Sequence, residues 1–130
     1  MEITKRKFYK HYTYVRKQNI PVVELESLID KSIKDKKEQT TKIVYNILSR
    51  IDFDRLGRVN RILSSDSGRR IISTMELQKI IFEILTDAID KFLLSRDVAF
   101  YDNEYVGICI FAGKNGKHGI VIYPKLDLPK

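Results

Sequence analysis

Hydrophobic residues recur at three- and four-residue steps between Ser73 and Leu94: Leu77, Ile80, Ile81, Ile84, Leu85, Ala88, Phe92 and Leu93. That spacing predicts one wide helical face. Ser73 and Glu76 stand in S-x-x-E order, in which each side chain satisfies an orphan N–H at the helix start. Ile72 and Leu77 flank the cap as a hydrophobic staple does. Phe82, Ile89 and Leu94 widen the apolar surface beyond one stripe, so this long apolar helix asks for cover on more than one side. The rest of the chain or a second copy would supply it, and Leu77, Ile81, Phe82 and Ile89 are the expected contacts of a homodimer. Lys79, Glu83, Asp87, Asp90 and Lys91 fill the opposite face. The helix reads as scaffold.

Upstream, Leu25, Leu28, Ile29 and Ile33 form one helical face, and Ile43, Val44, Ile47, Leu48 and Ile51 form another. The polar stretch Asp35-Lys36-Lys37-Glu38-Gln39-Thr40-Thr41 either divides two helices or is the exposed middle of one, and two helices are expected. Residues 54 to 63 predict a short helix capped by Asp54, with Leu56, Val59 and Leu63 (or Ile62) inward. Ser64-Ser65-Asp66-Ser67-Gly68 is the clearest loop signal.

After Leu94 the period becomes two. Val98 to Tyr101 predicts a strand, Asp102-Asn103 a turn, and Tyr105 to Ala112 alternates across a second strand. Asn115-Gly116 marks a hairpin, and Gly119 to Tyr123 is its return strand. Helices first and an antiparallel meander after predict a single α+β domain over residues 1–130, with one sheet face on the central helix. The repeated short strands of an OB barrel are absent from the middle of the chain.

The first 18 residues belong to neither pattern. Lys5, Arg6, Lys7, Phe8, Tyr9, Lys10, His11, Tyr12, Tyr14, Arg16 and Lys17 crowd together, opposed only by Glu2. They read as a strand with Phe8, Lys10, Tyr12, Tyr14 and Arg16 on one side, or as a helix aligning Phe8, Tyr12 and Val15. Asn19-Ile20-Pro21 then breaks the chain, because the residue before proline avoids helical backbone.

The 130 residues are 43% hydrophobic, enough for a core, and carry a net charge of +7. That excess favours polyanionic partners: nucleic acid, anionic membrane or acidic protein. Cys109, the single cysteine, excludes an intrachain disulfide and fits an intracellular home. No apolar run is long enough to span a bilayer, and no signal peptide is expected. Abundant isoleucine and lysine fit a thermophilic or AT-rich source.

Catalytic chemistry finds little support. Glu83, Asp87 and Asp90 share one side of the central helix as magnesium-binding carboxylates would, but a solvated face is the simpler reading. Cys109 sits between isoleucines, so a nucleophilic pair with His118 or His11 lacks the electropositive setting it needs. No phosphate-loop, dinucleotide, zinc-protease or nucleophile-elbow motif is present, so neither an enzyme nor a metal or cofactor is expected.

Single strands are held by cations that track phosphates and rings on which bases stack. Lys5, Arg6, Lys7, Tyr9, Lys10, Tyr12, Tyr14, Arg16 and Lys17 interleave both. Arg55, Arg58 and Arg61 on one helix flank, with Arg69 and Arg70 beyond the loop, form a second basic region suited to bidentate phosphate contact. Lys114 and Lys117 at the hairpin tip form a third.

In order, a basic tyrosine-rich start (Lys5 to Tyr12), a helical middle, a long helix (Leu77 to Leu94) and a closing hairpin (Val106 to Tyr123) resemble the small single-stranded-DNA-binding proteins of archaeal rod-shaped viruses. The resemblance rests on size, charge and order of parts. It implies a homodimer that binds single-stranded DNA without sequence preference during viral genome replication. Two other classes stay open: a winged-helix-like duplex-DNA regulator, reading DNA through residues 54 to 63 and the hairpin, and a viral protein-interaction module docking through the apolar helix.

Overall fold

A computed structural model describes residues 22–113 and 115–124. They form three helices and a four-stranded antiparallel sheet. The strands are β1 (Val23–Glu24), β2 (Ala99–Asp102), β3 (Val106–Ala112) and β4 (His118–Pro124), in the order β1-β4-β3-β2. The helices are α1 (Lys36–Leu48), α2 (Phe53–Ser67) and α3 (Thr74–Ser95). No helix among the described residues is long and apolar enough to cross a membrane.

Helix α3 begins at the expected cap, where the Ser73 hydroxyl oxygen accepts the Glu76 N–H at 3.1 Å. The reciprocal half of the capping box does not form, because the Glu76 carboxylate turns to Arg70 at 3.2 Å. It ends at Arg96, in left-handed conformation (φ 59°), whose N–H returns to the Phe92 carbonyl. Its buried residues are Leu77, Ile81, Leu85, Ala88, Ile89 and Phe92, a single stripe. The helix is amphipathic, not apolar on several sides. The stripe packs with Ile43, Val44 and Ile47 of α1 and with Val106, Ile108, Ile110, Ile120 and Ile122 of the sheet in one core. Each such side chain contributes about 1.5–3 kcal/mol on burial. Truncating one, Leu85→Ala for example, costs about 2–5 kcal/mol because the lost methyls leave a cavity.

The polar stretch before α1 is its first turns and not a separator. Asp35 caps the helix, its carboxylate accepting the N–H groups of Lys37 (2.9 Å) and Glu38 (3.5 Å). Gln39 and Thr40 face inward. The Thr40 hydroxyl donates to Asp90 on α3 at 2.6 Å, and Gln39 Oε1 accepts the Asp30 N–H at 2.7 Å. The helix expected from Leu25 to Ile33 does not form. Instead the Leu25 N–H extends strand pairing to the His118 carbonyl (2.8 Å), and a short 3-10 turn follows over Glu26–Leu28. A tertiary partner overrides a short helical period there.

Helix α2 is capped by Asp52, which accepts the Arg55 N–H at 3.1 Å, and not by Asp54. It runs through the serine-rich stretch and stops at Gly68, whose φ of 73° an L-residue with a side chain rarely adopts. Ser64, expected in a loop, is buried, and its hydroxyl reaches Asn60 Oδ1 at 3.4 Å.

The hairpin follows the expected alternation. Ile108, Ile110, Ile120 and Ile122 face the helices. Cys109, Val121 and Tyr123 form a second cluster with Phe100 and Phe111 on the other face. Gly107 and Tyr123 are paired across strands, and a β-carbon on Gly107 would lie 2.5 Å from Tyr123 Cζ. Phe111 stands in the same relation to its partner Gly119, at 2.7 Å. Bare backbone under each ring lets the aromatic lie flat on the sheet.

Candidate nucleic-acid interface

Lys5, Arg6, Lys7, Tyr9, Lys10, Tyr12, Tyr14, Arg16, Lys17 and Lys114 lie outside the described residues. The remaining candidates can be placed.

Arg55, Arg58 and Arg61 are exposed on α2. Successive steps of three residues turn the helix about 300° and rise about 4.5 Å, so Arg55 and Arg61 flank Arg58 at roughly 60° to either side. Arg55 and Arg58 therefore point away from the buried Gly57, Asn60 and Ser64, whereas Arg61 borders that face, about 40° from Gly57. Asp54 and Asp66 are exposed on the same helix and temper their field.

Arg69 and Arg70 leave the end of α2 and serve the fold. The Arg69 guanidinium carbon lies 5.9 Å from the centroid of the Tyr105 ring, and its Nε donates to the Ser67 hydroxyl at 2.8 Å. Arg70 pairs with Glu76 at 3.2 Å, while its carbonyl accepts the Tyr105 hydroxyl at 2.9 Å. Buried Asn60 completes the joint by donating to the Tyr105 carbonyl at 2.9 Å. Loop, helix and strand β3 are thereby locked together.

Lys117 is remote from this group. It sits at the hairpin loop, where Ala112 pairs with His118, whereas Tyr105 precedes the other end of β3, where Val106 pairs with Pro124. About 20 Å of strand separates those ends. Lys117 also pairs with Glu24 of β1 at 3.5 Å. The hairpin cation thus stands at the opposite end of the sheet from the Tyr105 joint that Arg69 and Arg70 make.

Fifteen of the 24 lysines and arginines lie in the described residues, and so do fifteen of the 17 acids. The described residues are formally neutral. The whole net charge of +7 belongs to residues 1–21, Lys114 and residues 125–130.

The expected dimer contacts need correction. Leu77, Ile81 and Ile89 are buried in the chain's own core and cannot line an interface with a second copy. Phe82 alone of the four is open, at 37% exposure, with its ring centroid 5.9 Å from that of Tyr45 on α1. Tyr45, at 59% exposure, was not singled out by its sequence.

The catalytic candidates disperse. Glu83, Asp87 and Asp90 are exposed on α3, Asp87 pairing with Lys91 at 3.1 Å and Asp90 accepting from Thr40. Among the described residues no group of three or more His, Cys, Asp or Glu is placed to hold a metal ion. Cys109 lies on the sheet face away from the helices, and burial pushes its thiol up to about 12. His118 shares the helix-facing side with Ile120 and Ile122, its ring edge-on to Phe92 at 4.9 Å, so the two cannot form a nucleophilic pair.

Instead, His118 has a partner that sequence alone could not supply. Glu26 accepts both its backbone N–H and its ring Nδ1, the latter at 2.6 Å. Burial alone would raise the Glu26 carboxyl, but these bonds outweigh it and hold the pKa below the ordinary 4.5. Also unmarked in the sequence reading is a cleft beside α1, lined by Leu28, Ile29, Lys31 and Asn46 among others.

Compared with protein-family models, curated proteins and solved structures, the chain matches none.

Proposed function

We propose that this chain is a non-enzymatic protein that binds single-stranded DNA without sequence preference, in the manner of the small viral proteins it resembles. One observation supports the reading: the first 18 residues hold six cations against Glu2 alone, most of the chain's net charge of +7, and tyrosines are interleaved with those cations. A basic, ring-rich sequence suits a flexible polyanion, which offers phosphates and unpaired bases alternately. Arg58 and Arg61, exposed on α2 and without an ion pair among the described residues, extend the cationic surface. Self-association is the second part of the reading, and Phe82 with Tyr45 is the exposed aromatic pair available for it.

The winged-helix alternative requires one duplex to meet both α2 and the hairpin tip. The separation of Lys117 from the Tyr105 end of the sheet weighs against it. A fluorescence-anisotropy titration with labelled oligo-dT, and with a duplex of equal length, tests the proposal. Binding to oligo-dT that weakens steeply with salt, at least tenfold tighter than duplex, is the expected result. No binding at low salt overturns it.

A further inference from the structure

We infer that the cleft between the Leu28–Lys31 segment and α1 is a seat for one nucleotide of the bound strand. The inference rests on the strand-binding reading above.

The cleft has a volume of about 330 Å³, at the lower end of what small-ligand sites occupy. Its apolar side is made by half-buried Leu28 and Ile29, with Ile43, buried in the core, beneath them. Such a small apolar surface accepts the carbons of a deoxyribose or part of a base. Its polar side includes Lys31 and Asn46. Among the described residues the Lys31 ammonium and the Asn46 carboxamide make no hydrogen bond or ion pair. An ammonium takes a phosphate oxygen, and a carboxamide offers a donor and an acceptor to a base edge.

The wall between them is fixed. Asp30 is held by its own N–H to Gln39 Oε1 (2.7 Å), by the Ser32 hydroxyl (2.6 Å) and by Lys42 Nζ (3.3 Å). Its carboxylate is therefore matched by Lys42, and the cleft keeps one unbalanced positive charge, that of Lys31. That is the charge a single phosphodiester neutralises. Lys34, Lys36 and Lys37 are exposed just beyond and make no ion pair among the described residues, so phosphates on either side of the seated nucleotide meet further cations. Glu38 is exposed among them, which argues for one seated nucleotide and not a long electropositive track.

The test is a nitrogen-15 NMR titration of the full chain with dTMP, with inorganic phosphate and with a short oligo-dT, alongside K31Q and N46L variants. Both residues are exposed, so neither change disturbs the core. We expect dTMP to shift the Asn46 side-chain amide and the Leu28–Lys31 backbone amides, phosphate to shift Lys31 without Asn46, and the double variant to lose these shifts. The double variant should also bind oligo-dT about tenfold more weakly. Shifts from dTMP that map elsewhere, or none at about 10 mM, overturn the inference. Oligo-dT binding that is unchanged in the double variant overturns it too and leaves the strand-binding reading intact. Seating of dTMP without any oligo-dT binding supports the cleft and overturns the strand-binding reading instead.

Discussion

Glu26 and His118, 92 residues apart, are joined twice: the carboxylate takes the histidine's backbone N–H through one oxygen and its ring Nδ1 through the other. A carboxylate only accepts, so the ring carries its hydrogen on Nδ1. This clamp fastens the 3-10 turn after β1 to the first residue of β4, next to the Leu25–His118 backbone bond and the Glu24–Lys117 pair. It ties the beginning of the described chain to the closing hairpin.

Removing the clamp has a pH signature. Glu26→Ala loses about 1.5–3 kcal/mol at neutral pH, the range for charge-assisted hydrogen bonds. The Glu26 carboxyl is lowered from 4.5 in the fold, so its contribution is complete above 4.5 and is lost as pH falls through the lowered folded value. Urea unfolding of both proteins at several pH values should show the gap closing only on the acid side of about 4.5.

Gly107 and Tyr123 should behave as a coupled pair. Gly107→Ala forces a β-carbon against the Tyr123 ring, where only 2.5 Å is available, at a cost of about 1–3 kcal/mol. In the Tyr123→Ala background that clash is gone. A double-mutant cycle by denaturant unfolding should return an interaction energy of about 1 kcal/mol or more; additive effects would contradict the stacking.

Asn60 is the buried polar link between α2 and β3. Asn60→Leu leaves the Tyr105 carbonyl without its donor and should cost about 1–3 kcal/mol in thermal or urea unfolding.

The thiol of Cys109 is 4% exposed and held up to about 12 by burial. At pH 8 only about one molecule in ten thousand carries the thiolate. A thiol-specific chromogenic reagent should leave the native chain unlabelled and react fully once denaturant opens the sheet.

What the sequence disclosed depended on whether the decisive partner was local. The Ser73 cap and the Asn115-Gly116 hairpin use neighbours in the chain, and both stand where the pattern puts them. The 25–33 segment failed because its fate is decided by His118, far along the chain. Ser64 to Ser67 looked like a loop because serine disfavours helix, yet Ser64 is held in α2 by Asn60 and the stop signal is Gly68 alone. Leu77, Ile81 and Ile89 looked like surplus apolar surface because periodicity cannot count how many faces the rest of the chain will cover. The arginines were legible as a group only along α2. Nothing in their spacing said that Arg69 would lie over Tyr105 or that Lys117 would stand at the far end of the sheet.

Bases that stack on tyrosine leave a different trace from phosphates that meet lysine. Tyr12→Ala and Tyr14→Ala should each weaken oligo-dT binding by about 1–3 kcal/mol and leave its salt dependence unchanged.

The most direct measurement is the salt dependence of oligo-dT affinity for the parent chain and for a variant with Lys5, Arg6, Lys7, Lys10, Arg16 and Lys17 all changed to glutamine. Each phosphate contact contributes about 0.7 to the slope of log affinity against log salt on a single strand. The account predicts a steep slope for the parent, flattened by as much as about 4 in the variant. Equal slopes in the two proteins, or a parent chain that leaves oligo-dT unbound, would contradict it.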